Sequence, residues 1–305
     1  MQSFTLILKI FVAIGLGYFI APYLSQTIKK FVFKILPYFS YILLIAVAFE
    51  LTQALNHIQN PATILPPALL IAFTTSIGSF FICLITFKLI DRESIQGKIS
   101  FHLFINALKN IAKAFLALGI GILLGAIVTL SNVNIAFNSW YLLLTFICLI
   151  GVELAFTQFD RSWLSWKILL VPVAAFMGSC LASVLNYFLL SDHYKLNEVM
   201  ALAQGYGWYS MSGILFTELH SATFGGIALL TDLLREIFAI LLMYCLGWRF
   251  PRSAISSAGA TSMDVTLAMV KQSCGTYYVP HAMMSGLILS LLPPLLITLF
   301  LNLKF

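Results

Sequence analysis

Repeated apolar runs, most of them long enough to cross a bilayer, restrict the fold of this chain more than any other feature of its sequence. A membrane-spanning helix needs about 20 predominantly apolar residues, and only helices and closed barrels satisfy every backbone polar group inside lipid. We therefore predict an all-α integral membrane protein with about eight transmembrane helices. The predicted helices lie near residues 4–21, 36–55, 64–90, 111–130, 139–157, 168–190, 223–248 and 280–303.

The composition agrees with a chain whose solvent is mostly lipid. Hydrophobic residues make up 61% of the 305 positions and charged residues 9%, whereas a soluble domain carries about 25% charged residues. The net charge of +6 does not indicate a nucleic-acid partner, because the basic residues lie between apolar runs, as they do in cytoplasmic loops. The cysteines have no metal-binding spacing, so neither a metal site nor a cofactor is predicted.

Two weaker apolar segments, residues 197–217 and 253–274, are rich in glycine, serine and threonine and are interrupted near their centres. Irregular backbone at membrane depth is tolerated only where protein buries it or where it lines a cavity. We interpret these two broken segments as re-entrant or discontinuous helices beside a substrate site. Two short, kinked spans that pack in the helix bundle are the alternative.

The positions of lysine and arginine predict the orientation of the helices. The connections after the second and fourth predicted helices contain neither residue, which assigns these connections to the outside. This places both termini in the periplasm and lets the two broken segments enter the membrane from opposite faces. Basic residues follow the first, third and fifth predicted helices and the helix 223–248: Lys29, Lys30, Lys34, Lys88, Arg92, Lys98, Lys109, Lys113, Arg161, Lys167, Arg249 and Arg252.

Internal similarity suggests inverted repeats. Residues 44–53 resemble residues 149–158, and these stretches belong to predicted helices that run in opposite directions. Each broken segment is also followed by one long apolar run. Inverted repeats with discontinuous helices are typical of secondary transporters. The predicted domains are a scaffold-like half, residues 1–190, whose six helices could form a 3+3 inverted repeat, and a transport-like half, residues 191–305.

Charged residues near the broken segments are the main candidates for the site. Asp232, Arg235 and Glu236 are spaced so that they share one helical face. Inserting a carboxylate at the centre of a membrane helix costs about 2.5–3.5 kcal/mol, so such groups usually mark a transport pathway or a charged partner. The alternative interpretation is that Arg235 simply neutralises Asp232. Glu236 lies deeper, and because burial penalises its charged form, it is a candidate for proton coupling. Asp264 directly follows the second interruption.

Small and polar residues at the interruptions complete the candidate site. Backbone N–H groups of the first segment, together with Ser210 and Ser212, suit an anionic group, and Trp208 and Tyr209 suit a cation or an aliphatic chain. Interfacial aromatic residues and helix caps are the alternatives. The remaining candidates are Gly205, Gly213, Gly259, Thr261 and Ser262.

An intramembrane protease is the enzyme class that this sequence most nearly suggests. Ser212 with His220 or His281 would be its catalytic Ser–His dyad. Position 210 is serine, so the G-x-S-G pattern fails, and no paired-aspartate or zinc motif occurs in the sequence. We therefore predict that the chain is not an enzyme. Titratable acids beside broken helices favour a coupled carrier over a passive channel.

Six stretches in the last 110 or so residues match the pattern of a known family: ALA (201–203), GYGWYSMSGILFTE (205–218), DLLRE (232–236), GATSMDVTL (259–267), VP (279–280) and GLILSLL (286–292). Through these stretches the chain resembles the bacterial lysine exporter family. The resemblance implies export of L-lysine and of toxic lysine analogues from the cytoplasm across the bacterial inner membrane. It also implies that Glu236 and Asp264 are the acids most needed for transport.

The charge of this substrate suggests the coupling ion. Lysine carries one carboxylate and two ammonium groups, and moving its net positive charge outward costs roughly 2.3 kcal/mol per 100 mV of inside-negative potential. Inward movement of one proton offsets that cost, so proton antiport is predicted, with L-lysine and protons as partners and lipids as surroundings. A homo-oligomer is left open. A carrier for another small charged solute, such as an organic anion, is the alternative function.

Overall fold

The computed structural model describes residues 2–55, 61–90, 97–98, 101–131, 138–156 and 165–303. Helices are the only regular secondary structure in that part of the chain, which confirms the prediction of an all-α membrane protein. The α-helices are α1 (Gln2–Ile20), α2 (Gln26–Leu55), α3 (Leu65–Ile90), α4 (Phe101–Leu130), α5 (Trp140–Phe156), α6 (Trp166–Leu190), α7 (Leu196–Leu202), α8 (Tyr209–Leu219), α9 (Ala222–Leu246), α10 (Pro251–Ala258), α11 (Leu267–Met269), α12 (Val279–Leu291) and α13 (Pro293–Asn302).

Four straight helical stretches among the described residues are long and apolar enough to cross a bilayer: Thr5–Tyr23, Leu65–Ile90, Phe104–Leu130 and Trp166–Leu190. Two bent pairs raise the number to six if each pair is one span: Gln26–Leu36 with Tyr38–Gln53, bent by 50°, and Thr276–Leu291 with Pro293–Asn302, bent by 42°. The other two predicted spans are α5, with only 17 residues, and α9, which carries the charged triplet of the site. The predicted total of eight and the orientation of the termini stay predictions.

Two helices begin earlier than the apolar pattern predicts. α2 starts at Gln26 instead of near residue 36, and α4 starts at Phe101 instead of near residue 111. Both extensions contain lysines, among them Lys29 and Lys109. A charged residue ends an apolar run, but lysine has a good helix propensity, so the helix continues through it. Several basic residues that the apolar pattern places in loops therefore lie on helices.

The chain forms two compact units, each assembled from separate stretches of sequence. The first contains Met1–Pro61, Lys113–Phe159 and Gly213–Gly226, and the second contains Ala62–Ala112, Asp160–Ser212 and Ile227–Phe305. The division into halves 1–190 and 191–305 stays a prediction.

Small residues bring the helices together within the second unit. A Cβ added to Gly78 on α3 would overlap the carbonyl oxygen of Gly178 on α6, and Ser79 Oγ donates to the Ala175 carbonyl across this contact at 3.2 Å. Membrane helices lack a hydrophobic driving force for association, so close packing and hydrogen bonds hold them together. On the α10 side, Ser256 Oγ donates to the Ser79 carbonyl at 3.2 Å. Close backbone contact and hydrogen bonds of serine side chains thus join α3, α6 and α10.

Candidate functional site

The first broken segment is interrupted where the sequence predicts it. α7 ends at Leu202 and α8 begins at Tyr209, and we call the non-helical residues 203–208 between them the first break. Tyr206 has a φ of +53° and Gly207 a φ of +88°. Two consecutive left-handed residues cannot continue a right-handed helix, so the chain turns at this point.

The second broken segment is interrupted at Gly259. α10 ends at Ala258, and a tight 3₁₀ turn from Gly259 to Met263 leads to Asp264. We call residues 259–264 the second break. Gly259 has a φ of +63°, a conformation that favours glycine.

The two breaks are in direct contact. The Ala260 N–H donates to the Tyr206 carbonyl at 2.9 Å, and a Cβ added to Gly259 would overlap that same carbonyl. A Cβ on Gly207 would lie 3.1 Å from Thr261 Cγ2. The interruptions of the two segments therefore support each other, as expected for discontinuous helices that meet in a transporter.

This contact makes a prediction about stability. Gly259→Ala should destabilise the protein by about 1–3 kcal/mol, because alanine is strained at a positive φ and its Cβ would overlap the Tyr206 carbonyl. Thermal unfolding of the purified protein in detergent measures the change. The matched control is Gly119→Ala on α4, where the added Cβ has no atom within 4 Å; it should be neutral or stabilising by about 0.5–1 kcal/mol. Equal melting temperatures for the two variants would contradict this account of the turn.

Asp232 on α9 is fastened to the first break. Its side chain is 1% exposed; the Gly207 N–H donates to Oδ1 at 2.8 Å, and the Ser212 hydroxyl donates to Oδ2. Gly205 lies so close that an added Cβ would overlap the carboxylate. Both oxygen atoms of Asp232 are thus held by groups of the first broken segment.

Arg235, one turn further along α9, is held by neutral groups. Its guanidinium donates to the Ala203 carbonyl and to the hydroxyls of Ser79 and Ser179, each at 3.3 Å. It also lies 5.0 Å from the centre of the Tyr206 ring, within cation–π range. Asp232 and Arg235 are neighbours on one face of α9, as their spacing predicts. The hydrogen bonds of Arg235, however, go to the α3–α6 pair and to the first break.

Glu236 and Asp264 differ from the first two charged residues. Glu236 is 4% exposed, and among the described residues its carboxylate makes no hydrogen bond. The charge of Asp264 acts on it electrostatically. Asp264 is exposed, and its Oδ1 accepts the N–H of Val265. The structure therefore brings a buried acid and an exposed acid into one neighbourhood.

The other candidate residues mostly stabilise the breaks themselves. Trp208 packs against an apolar cluster that includes Ala175 and Leu289. Thr261 Oγ1 donates to the Ala258 carbonyl at 2.9 Å, and Ser262 Oγ lies 2.8 Å from the Gly259 carbonyl and 2.9 Å from that of Ala282. Tyr209 is half-buried and Ser210 is buried, both on the first turn of α8, whereas Gly213 belongs to the first unit.

Sequence reasoning missed the residues that hold Arg235 and Tyr206. Ser79 and Ser179 lie inside runs that appear merely apolar, and the Tyr206 hydroxyl donates to Gln204 Oε1 within the first break. One sequence pattern could have indicated this polar contact between the helices. Serines recur three or four residues apart, and so on one helix face, at Ser76 and Ser79 on α3 and at Ser179 and Ser183 on α6. No group of histidine, cysteine, aspartate or glutamate side chains in the described ranges is placed to hold a metal ion.

The chain is similar to proteins of one membrane family. The family model described as "Lysine exporter LysO" matches residues 115–301. A protein of Escherichia coli (strain K12), "Lysine exporter LysO", is 37% identical over 164 residues, which are 53% of this chain and 54% of that protein. A protein of Haemophilus influenzae, "Putative lysine exporter", is 31% identical over 165 residues, 53% of this chain and 84% of that protein. The match thus spans about half the length of the first relative, and no solved structure matches the chain.

Proposed function

The chain belongs to the lysine exporter LysO family, and on that premise we propose that it exports L-lysine, and toxic analogues of lysine, from the bacterial cytoplasm in exchange for protons. The names of the two relatives support the substrate. The acids near the two breaks support the exchange. Export proceeds across the inner membrane, in which the apolar helices embed the chain.

The observation that carries this proposal is the environment of Glu236. The fold buries this side chain, and no hydrogen bond from the described residues stabilises its ionised form. An ionised carboxylate without a partner is costly in a medium of low polarity. Glu236 is therefore the acid that gains most from taking up a proton, and we assign it the coupling role.

Asp264 is assigned the binding of a substrate ammonium group. It is exposed and is the last residue of the second break, where a solute can approach it. Its Oδ1 accepts the Val265 N–H, and an ionised carboxylate can accept further, charge-assisted hydrogen bonds from an ammonium group. Lysine supplies such a donor at either end of the molecule.

Competition between the proton and lysine explains exchange rather than cotransport. The charges of Glu236 and Asp264 act on each other, so an ammonium group beside them favours the state in which both acids are ionised. A proton on Glu236 removes one negative charge and weakens the attraction for lysine. The acidic pair therefore carries either the proton or the substrate, as antiport requires.

A carrier of organic anions is the second function that the sequence allowed. An anion site needs a cationic side chain that can turn toward the substrate. Arg235 is 1% exposed and already donates to Ala203, Ser79 and Ser179. Because these hydrogen bonds already engage the guanidinium, we favour a cationic substrate over an anionic one.

Transport in proteoliposomes tests the proposed function. Purified protein should accumulate labelled lysine in counterflow, and an imposed pH gradient should drive net lysine movement opposite to the protons. Protein-free liposomes and a gradient collapsed with an ionophore are the controls. Lysine flux at the level of protein-free liposomes would refute the substrate, and lysine flux that ignores the pH gradient would refute the coupling.

A further inference from the structure

Asp232 has surroundings that set it apart from the two acids assigned to transport. Both of its oxygen atoms accept hydrogen bonds, from the Gly207 N–H at 2.8 Å and from the Ser212 hydroxyl. The side chain is 1% exposed, and Gly205 closes off one face of the carboxylate. Each oxygen keeps further acceptor capacity, but the burial of the side chain and the closeness of Gly205 leave a substrate ammonium no open approach to it.

The groups bound to Asp232 set the geometry of the first break. Gly207 is the second of two left-handed residues, and the first, Tyr206, accepts the Ala260 N–H of the second break. Ser212 lies on the first turn of α8. Asp232 therefore joins three parts of the molecule: α9, the turn that contacts the second break, and the start of α8.

We propose that Asp232 is a positioning residue of the transport site, which holds the first break against α9 and so fixes Glu236, one turn further along, relative to the second break. Asp232 itself carries neither the proton nor the substrate. This inference rests on the proposed function for its transport readout, but its structural part is measurable without transport.

The chemistry of Asp232→Asn separates positioning from charge. The amide oxygen of asparagine accepts the Gly207 N–H as the carboxylate does. The amide NH₂ group then donates to Ser212 Oγ, and the single hydroxyl proton of Ser212 turns to the Trp208 carbonyl, 3.2 Å away. Both links are thus preserved without a charge, because a hydroxyl is both a donor and an acceptor. Asp232→Ala removes both links.

The test compares Asp232→Asn, Asp232→Ala and Glu236→Gln with the wild-type protein for thermal stability, for the rate and KM of lysine transport, and for its pH profile. We expect Asp232→Asn to keep the wild-type pH profile with a rate loss of no more than about threefold. Asp232→Ala should melt at a lower temperature, and the folded fraction should transport at least about tenfold more slowly with a shifted pH profile.

Each opposite result counts against the proposal. An Asp232→Asn protein that fails to fold, or that folds and transports as poorly as Glu236→Gln, shows that the charge is required. A folded Asp232→Ala protein with the wild-type rate and pH profile shows that Asp232 has no influence on transport. If the wild-type protein moves no lysine, the proposed function fails instead. In that case the melting temperatures alone test the structural part of the proposal. Equal melting temperatures for Asp232→Asn and Asp232→Ala would refute the link between α9 and the first break.

Discussion

Glu236→Gln should abolish the acceleration of lysine export by a pH gradient while leaving lysine–lysine exchange measurable. Glutamine keeps the size of the buried side chain but neither takes up nor releases a proton, so the variant cannot exchange a proton for lysine. We expect gradient-driven flux to fall at least tenfold, which corresponds to a rise of about 1.4 kcal/mol in the barrier to transport. Flux of labelled lysine with and without the gradient, in the same proteoliposomes, measures both activities.

The matched control for this substitution is Glu153→Gln. Glu153 is another acid within an apolar helix, α5, but it is exposed and lies in the first compact unit. The same chemical change at this position should leave gradient-driven flux near the wild-type value. If Glu236→Gln retains normal proton-driven export, Glu236 is not the coupling residue; if both variants fail alike, the loss does not report on the site.

The positions of the two breaks could be predicted because their cause is local. Glycine, serine and threonine interrupt an apolar run at residues 205–213 and 256–264, and these residues disfavour a continuous helix for reasons of backbone entropy and competing hydrogen bonds. The interruptions in the structure, residues 203–208 and 259–264, overlap these stretches. The spacing of Asp232, Arg235 and Glu236 on one helix is equally local, since it follows from the helical repeat.

The partners of these residues could not be predicted because they depend on which distant segments meet. Ser79 and Ser179 are 100 residues apart in sequence, yet both accept hydrogen bonds from Arg235. The left-handed conformation of Tyr206 could not be predicted from the sequence either, because tyrosine has no preference for a positive φ. It is held there by the contact of its carbonyl with Ala260 and of its hydroxyl with Gln204.

Trp208 has packing contacts that its position in the sequence does not reveal. An aromatic residue beside a break suits a bound cation, but the structure packs this indole against Ala175, Tyr206, Ala260 and Leu289. An indole ring buries a large apolar area, which stabilises packing between helices more than an exposed stacking position would. A contact between Trp208 and the substrate stays a prediction.

Asp264→Asn should weaken lysine binding by about tenfold, which corresponds to about 1.4 kcal/mol, and should change the proton dependence of transport much less. The amide oxygen of asparagine can still accept the Val265 N–H, so the second break should keep its conformation while the negative charge is lost. The exposure of Asp264 limits the effect, because water screens an exposed ion pair.

Calorimetric titration of the purified variant with lysine measures the Kd directly and separates binding from transport. Asp192→Asn, an exposed acid in the turn after α6, is the matched control and should bind lysine as the wild-type protein does. Together with Glu236→Gln, this measurement separates the two acids: Asp264→Asn should lose more affinity than coupling, and Glu236→Gln should lose more coupling than affinity. An unchanged Kd for Asp264→Asn, in a protein that melts at the wild-type temperature, would mean that the substrate ammonium binds elsewhere.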